Sequence, residues 1–209
     1  MIRTLGLTFT YDTDDKVFRF PDIDLEKNQN LLILGKSGIG KTTLLHLLAG
    51  LLQPAEGRVE IDEVPVHSLP NKKLDSFRGQ HIGLVFQGNH AIQSLSVFEN
   101  VQARLFFAKK AISRTEIIEL LELLDISDCK GKMVRELSEG QRQRLGIALA
   151  MVHRPKLIMA DEPTSSLDDE NCNKVMQLLM EQAHSNEANL IVITHDHRIT
   201  PWFTNTLEL

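Results

Sequence analysis

Gly35-Lys36-Ser37-Gly38-Ile39-Gly40-Lys41-Thr42 decides how this chain folds. The stretch fits the pattern G-x-x-x-x-G-K-[ST]. It follows the apolar run Leu31 to Leu34 and precedes an apolar-faced stretch from Lys41 to Gly50, where Gly50 can stop a helix. Glycines let backbone N–H groups turn inward around an anion. The helix that follows aims its N-terminus at the same charge. Lys41 can then reach the β- and γ-phosphates of a nucleotide, and the Thr42 hydroxyl suits Mg²⁺. Buried strand, glycine loop and helix in this order predict a phosphate site in an α/β domain.

The next signal lies well downstream. Leu157 to Ala160 reads as an apolar strand, tipped by Asp161 and Glu162. Asp161 is placed to hold Mg²⁺, directly or through water, and Glu162 to polarise a water beside the γ-phosphate. Alone, two acids at a strand end are ordinary surface residues; beside the phosphate loop they become a site. Between and around these landmarks the hydrophobic pattern alternates short runs with helical periodicity. The first ~25 residues read as extended, with a turn at Asp12 to Asp15. Gly57 to Asp62, Ile82 to Phe86 and Leu190 to Ile193 read as strands. Ser96 to Ala108, Ser113 to Asp125 and Glu170 to His184 read as helices. A turn spans Leu137 to Gly140 and a helix follows to about Val152.

Composition sets the limits. The 209 residues are 42% hydrophobic and 24% charged, ordinary for a globular protein, and carry a formal charge of −5. That acidic balance, with no basic block, argues against nucleic acid as a partner. Two cysteines, Cys129 and Cys172, exclude a disulfide scaffold and have no metal-type spacing. No signal peptide is visible at the N-terminus. No apolar run reaches the ~18–20 residues that span a bilayer, so any membrane crossing is expected from another chain.

Leu137-Ser138-Glu139-Gly140-Gln141, a short way before the acidic strand, resembles the L-S-G-G-Q signature of ATP-binding cassette (ABC) ATPases. Gln87 is similar to that family's Q-loop glutamine, Ser165-Ser166-Leu167-Asp168 to its D-loop, and His195 to its switch histidine. Tyr11 falls where the family places an aromatic that stacks on adenine, with Phe9, expected on the opposite strand face, as the alternative. Six motifs in the family's order cover nearly the whole chain. The resemblance implies a P-loop NTPase, α/β in class, with a RecA-like core, an antiparallel β subdomain and an inserted α-helical subdomain. Residues 1–209 would then be one ABC ATPase domain, with 1–87 and 137–209 as catalytic core and 88–136 as helical subdomain.

The resemblance also implies roles. Glu162, His195 and Lys41 would be catalytic. Tyr11, Gly35, Lys36, Ser37, Gly38, Gly40, Lys41, Thr42, Thr43, Gln87, Ser138, Gly140 and Asp168 would bind ATP. Thr42, Gln87 and Asp161 would hold Mg²⁺. Two cassettes would close head-to-tail, each site borrowing Ser138 and Gly140 from the partner, with Asp168 coupling the sites. The helical lobe would receive a coupling helix from an integral membrane permease. The implied function is an ATP-hydrolysing subunit of a bacterial transporter or mechanotransmitter, peripheral on the cytoplasmic face of the membrane. Phe86-Gln87-x-x-His90 and Ser94 to Val101 are similar to the group serving lipoprotein release, macrolide efflux and cell division.

Two departures stand out. Glu139 replaces a signature glycine, and is expected to point outward and leave Ser138 and Gly140 to the phosphate. Little follows Trp202, so a C-terminal sensing domain is expected to be absent. The alternative is a soluble ABC ATPase in repair or assembly. That class needs a long coiled coil, which ~50 residues of helical lobe cannot supply.

Overall fold

The computed structural model describes residues 1–11, 16–86, 90–165 and 167–209. The expected turn at Asp12 to Asp15, Gln87, the first residues of the expected lobe and Ser166 lie outside the described residues.

Two sheets carry the fold. Strands β1 (Ile2–Thr10), β2 (Val17–Arg19), β3 (Asp24–Leu25), β5 (Glu56–Ile61) and β6 (Val64–Pro65) form an antiparallel sheet centred on β1. Strands β4 (Asn30–Leu34), β7 (Ile82–Val85), β8 (Leu157–Asp161), β9 (Asn189–Thr194) and β10 (Asn205–Glu208) form a parallel sheet in the order β10-β4-β9-β8-β7. β8 and β9 are buried throughout, as their unbroken apolar runs require of parallel strands covered on both faces.

Alternation along β4 divides the core. Leu31 and Ile33 face the antiparallel sheet together with α1 (Lys41–Leu48); Leu32 and Leu34 face the helical side. That side holds α3 (Val97–Ala108), α4 (Arg114–Leu123), α5 (Glu139–Met151) and α6 (Asp169–Ser185). Helix starts follow from capping chemistry. Ser96 with Glu99, Ser113 with Glu116 and Ser138 with Gln141 each form a reciprocal capping box. Asn100 is 3% exposed, and its side chain bonds the backbone of Ile92, Leu95 and Ser96, so the loop before α3 is folded onto the helix. α1 ends at Leu48 with Ala49 as its C-cap, and Gly50 takes φ 65° as a helix stop.

The structure departs from the sequence reading at three places. Helix α2 (Asn71–His81) was not expected: it buries no residue fully, so it has no apolar stripe to read. β10 follows Trp202, where little was expected, and pairs in parallel with β4 from Asn205↔Leu31 to Glu208↔Leu34. α5 begins at Glu139, so the turn expected over Leu137 to Gly140 ends two residues early, and Glu139 lies in the first turn of the helix.

The parallel register places the site. Leu34 pairs with Thr194, Ile193 with Asp161, and Ala160 with Val85. The carboxyl ends of four strands therefore meet on one edge, and the loops after them carry the chemistry.

Candidate functional site: a phosphate-binding cleft

At that edge lies a cleft of about 650 Å³. Tyr11, Phe18, Lys36, Ser37, Gly38, Gly40, Lys41, Thr42, Thr43, Asp161, Glu162 and His195 line it. These come from the loop after β4, the head of α1, the ends of β8 and β9, and the β1–β2 hairpin. Gly35 stands behind it, its carbonyl taking a hydrogen bond from Lys41 Nζ at 2.8 Å.

The loop conformation depends on glycine at one position above all. Gly40 has φ 115°, and a Cβ there would sit 2.7 Å from Phe18 Cδ1. Gly40 also N-caps α1 with no side-chain hydrogen bond, which leaves the first amides of the helix to an anion. Lys41 is only 7% exposed. Its Nζ donates to the carbonyls of Gly35 and, at 3.1 Å, Lys36, and lies 3.6 Å from Glu162 Oε1. A phosphate entering the loop meets a cation already aimed by its own backbone.

The two carboxylates differ. Asp161 accepts from Thr42 Oγ1 at 2.9 Å, and among the described residues it has no ion-pair partner. Burial pushes its carboxyl above the usual range against the Thr42 hydrogen bond, and the neighbouring Glu162 charge adds to the rise. Glu162 is held the other way. Burial acts to raise it, but hydrogen bonds from His195 and Thr194 outweigh that and keep it below the usual carboxylate range. The contacts are His195 Nδ1 at 2.9 Å from Oε1 and Thr194 Oγ1, which donates to Oε2 at 2.7 Å. Glu162 occupies the left-handed region, φ 51°, and its N–H donates to the Ile193 carbonyl at 2.8 Å.

Tyr11 is 39% exposed, and its hydroxyl shares a hydrogen bond with Thr43 Oγ1 at 2.8 Å. Phe9 is on the same side, not the opposite one. Its ring meets Tyr11, one residue past the end of β1, edge-on at 4.7 Å, as the two-residue period of an extended chain allows. Both Phe9 and Phe18 pack against the core, and of the two only Phe18 also lines the cleft. Phe18 escaped the sequence reading; the available signal was the aromatic pairing Phe9↔Phe18 across the hairpin.

Not every expected residue comes to this cleft. Glu139, Gly140 and Asp168 line a second cavity, of about 440 Å³, between α4, α5 and α6. Ser138 is exposed and caps its own helix, accepting from Gln141 N at 3.2 Å. Asp168 caps α6, accepting from Asn171 N at 2.8 Å; that backbone hydrogen bond, then one from the Asn171 side chain, lowers its carboxyl. Glu139 is exposed and opens on the second cavity beside Arg144 and Lys174.

The family model described as ABC transporter matches residues 20–165. The chain belongs to this family. It is 35% identical to the lipoprotein-releasing system ATP-binding protein LolD of Legionella pneumophila (strain Lens), over 93% of this chain and 86% of that one. It is 37% identical to the phosphonates import ATP-binding protein PhnC 1 of Ruegeria sp. (strain TM1040), over 96% of this chain and 80% of that one. Among solved structures, the dimeric post-hydrolysis state of the ATP-binding cassette MJ0796 bound to ADP and Pi matches with TM-score 0.90 and 30% identity. That match covers all of this chain and 94% of the other. The fold is therefore that of an ABC ATPase, and ATP is the nucleotide of the family. Among the described residues, no helix is long and apolar enough to cross a membrane.

Proposed function

We propose that this chain is the ATP-hydrolysing subunit of a bacterial ABC transporter or mechanotransmitter, working as a head-to-tail pair with a second copy. The observation that carries this reading is the division of the motifs. Lys41, Thr42, Asp161, Glu162 and His195 share one cleft, while Glu139, Gly140 and Asp168 line another cavity. A chain whose signature residues lie outside its own cleft needs a partner's to complete it. In this reading 1–87 and 137–209 form the catalytic core and 88–136 the helical subdomain. Gln87 is assigned to ATP and Mg²⁺ binding by its motif.

The chemistry assigned to each group follows from its position. The loop amides and Lys41 bind the phosphates, and Tyr11 packs on the adenine. Glu162, ionised and fixed by Thr194 and His195, accepts a proton from the water that attacks the γ-phosphate. His195 hydrogen-bonds the γ-phosphate. Thr42 and Asp161 fit Mg²⁺: a hydroxyl and a buried carboxylate with no ion-pair partner among the described residues are hard oxygen donors already in contact. When bound, Mg²⁺ supplies charge neutralisation on the phosphate oxygens. The membrane partner would be an integral permease seated on the groove of Leu51, Leu84, Phe86, Arg104 and Leu149 between core and helical lobe, and the chain would then work on the cytoplasmic face. The lipoprotein-release and macrolide-efflux group is the favoured setting.

The test is Glu162→Gln, tagged and recovered from detergent-solubilised native membranes with Mg-ATP. Hydrolysis is expected to fall by a factor of about 10² or more, with nucleotide binding retained and the chain eluting as a dimer. Recovery of a membrane protein with a large extracytoplasmic domain supports the reading. Recovery of soluble partners alone removes transport from it, and an importer-type permease with a solute-binding protein removes the favoured group.

A further inference from the structure

Beside the cleft, but outside its lining, a fork of hydrogen bonds joins three segments. Arg198 lies in the 3₁₀ turn His197–Trp202 after β9. Its Nε donates to both Asp196 carboxylate oxygens, at 2.9 and 3.2 Å, and its Nη2 to Oδ2 at 2.8 Å. Nη1 donates to Asp169 Oδ1 at 2.6 Å, at the head of α6. Nη2 also reaches the carbonyls of Leu167, at 3.1 Å, and Thr164, at 3.4 Å. Asp196 is engaged from the other side, because Thr164 Oγ1 donates to its Oδ2 at 3.0 Å. The Asp196 N–H donates to Thr194 Oγ1 at 3.0 Å, and that hydroxyl holds Glu162.

A surface ion pair is the bland explanation, and it covers one arm. Asp169 is 85% exposed, so its contact with Arg198 is screened by solvent. The Asp196 arm is different. That carboxylate is 8% exposed, meets a planar fork, and is held at about 2 by the Arg198 hydrogen bonds. Thr164 is fully buried, and its hydroxyl donates to Asp196. Two backbone carbonyls complete the guanidinium, so Arg198 reads the path of the chain between Glu162 and α6. A lysine cannot satisfy these directions at once.

We propose that Arg198 is a positioning residue for hydrolysis. With Asp196 it straps the chain around Thr164, Leu167 and the α6 head to the Thr194-His195 segment that orients Glu162. The inference rests on the reading above, in which Glu162 activates water and Asp168, beside the strap, meets the partner cassette. Neither Arg198 nor Asp196 lines the cleft. The strap therefore acts on the rate of the chemical step and leaves nucleotide affinity alone.

The experiment uses the purified chain with Arg198→Met, Arg198→Lys, Asp196→Asn and the Asp196→Asn/Arg198→Met double variant. Steady-state ATP hydrolysis, nucleotide Kd, thermal midpoint and amide hydrogen exchange are measured for each. Arg198→Met is expected to lower kcat about tenfold while KM and Kd stay within about twofold. Arg198→Lys should recover part of the loss, and the double variant should be no worse than the worse single one. In the exchange data, amides near Leu167 and amides near Thr194 should open together in Arg198→Met. An unchanged kcat overturns the proposal. So does a loss of kcat that comes with a matching loss of Kd and thermal midpoint, or a double variant whose losses multiply. A wild-type chain that hydrolyses no ATP defeats the proposed function instead, and the strap is then judged by whether the two segments open together.

Discussion

Acidification should weaken this fold through one buried imidazole, His153. The residue follows α5 and is fully buried. Its Nε2 lies 2.9 Å from Arg104 Nη2 and 3.1 Å from the Ile82 carbonyl, while Nδ1 has no partner among the described residues. A second proton would place an imidazolium against a guanidinium, without water. Burial is the main cause, followed by the Arg104 charge, with Lys110 and His81 adding to it; together they push His153 from 6.5 down to about 3. The folded state therefore stays unprotonated between those values while the unfolded chain takes up a proton. Stability is complete above the unfolded value and is lost as pH falls below it. At pH 5 the loss is set almost wholly by the unfolded chain, because the folded group is still neutral; linkage gives about 2 kcal/mol relative to pH 8. For a chain of this size that is a drop of about 4–8 °C in thermal midpoint. Other groups titrate in the same window, His67 and His81 among them, both lowered chiefly by burial. The assay is therefore a difference: urea unfolding of wild type and His153→Leu at pH 8 and pH 5. The variant is expected to start less stable but to lose about 2 kcal/mol less on acidification. Equal losses in the two proteins, within ~0.5 kcal/mol, would refute the argument, because they would show that His153 titrates normally in the fold.

Removing the Tyr11 ring should cost about 1–3 kcal/mol of nucleotide affinity, read as a rise in ATP Kd of about fivefold or more for Tyr11→Ala. Phe18→Leu should raise Kd as well, since the ring lines the same cleft; a Kd unmoved by Phe18→Leu assigns adenine contact to Tyr11 alone. Glu139→Gly should change the rate of ATP hydrolysis by less than tenfold, because Glu139 opens on the second cavity rather than on the phosphate cleft; a larger rise would show that it had obstructed the closed site. Gly83→Ala should destabilise the fold by about 1–3 kcal/mol or prevent folding, measured by thermal midpoint. A Cβ on Gly83 would lie 2.1 Å from the Ala150 carbonyl oxygen, where β7 meets α5.

What the sequence made readable was local. The phosphate loop shows because its glycines, lysine and threonine fall within eight consecutive residues, and α3 and α4 show because their apolar residues recur at helical spacing. Two elements had no local signature. α2 rests on the fold through partly buried side chains, and its composition resembles a polar loop. β10 is four residues long and is made a strand by its pairing with β4, far away in sequence. The same limit applies inside the site. Lys41, Asp161, Glu162 and His195 could be named because each belongs to a motif. Phe18, Thr194, Asp196 and Arg198 could not, since what marks them is whom they touch.

Glu162 shows why those unmarked partners matter. A strand that ends in a left-handed residue would be easiest with glycine, and a glutamate there costs conformational free energy of order 1 kcal/mol or more. Chemistry requires the carboxylate, so the surroundings must hold the backbone and the side chain. The backbone is held by β9, through the hydrogen bond to the Ile193 carbonyl. The side chain is held by Thr194 and His195, the next two residues along the chain, and balanced by Lys41. Parallel pairing of β8 with β9 thus does more than build a sheet. It sets the base, its hydrogen-bond donors and the phosphate-loop lysine within a few ångströms of one another, and a one-residue slip in that register would separate Glu162 from its donors while leaving every motif in the sequence intact.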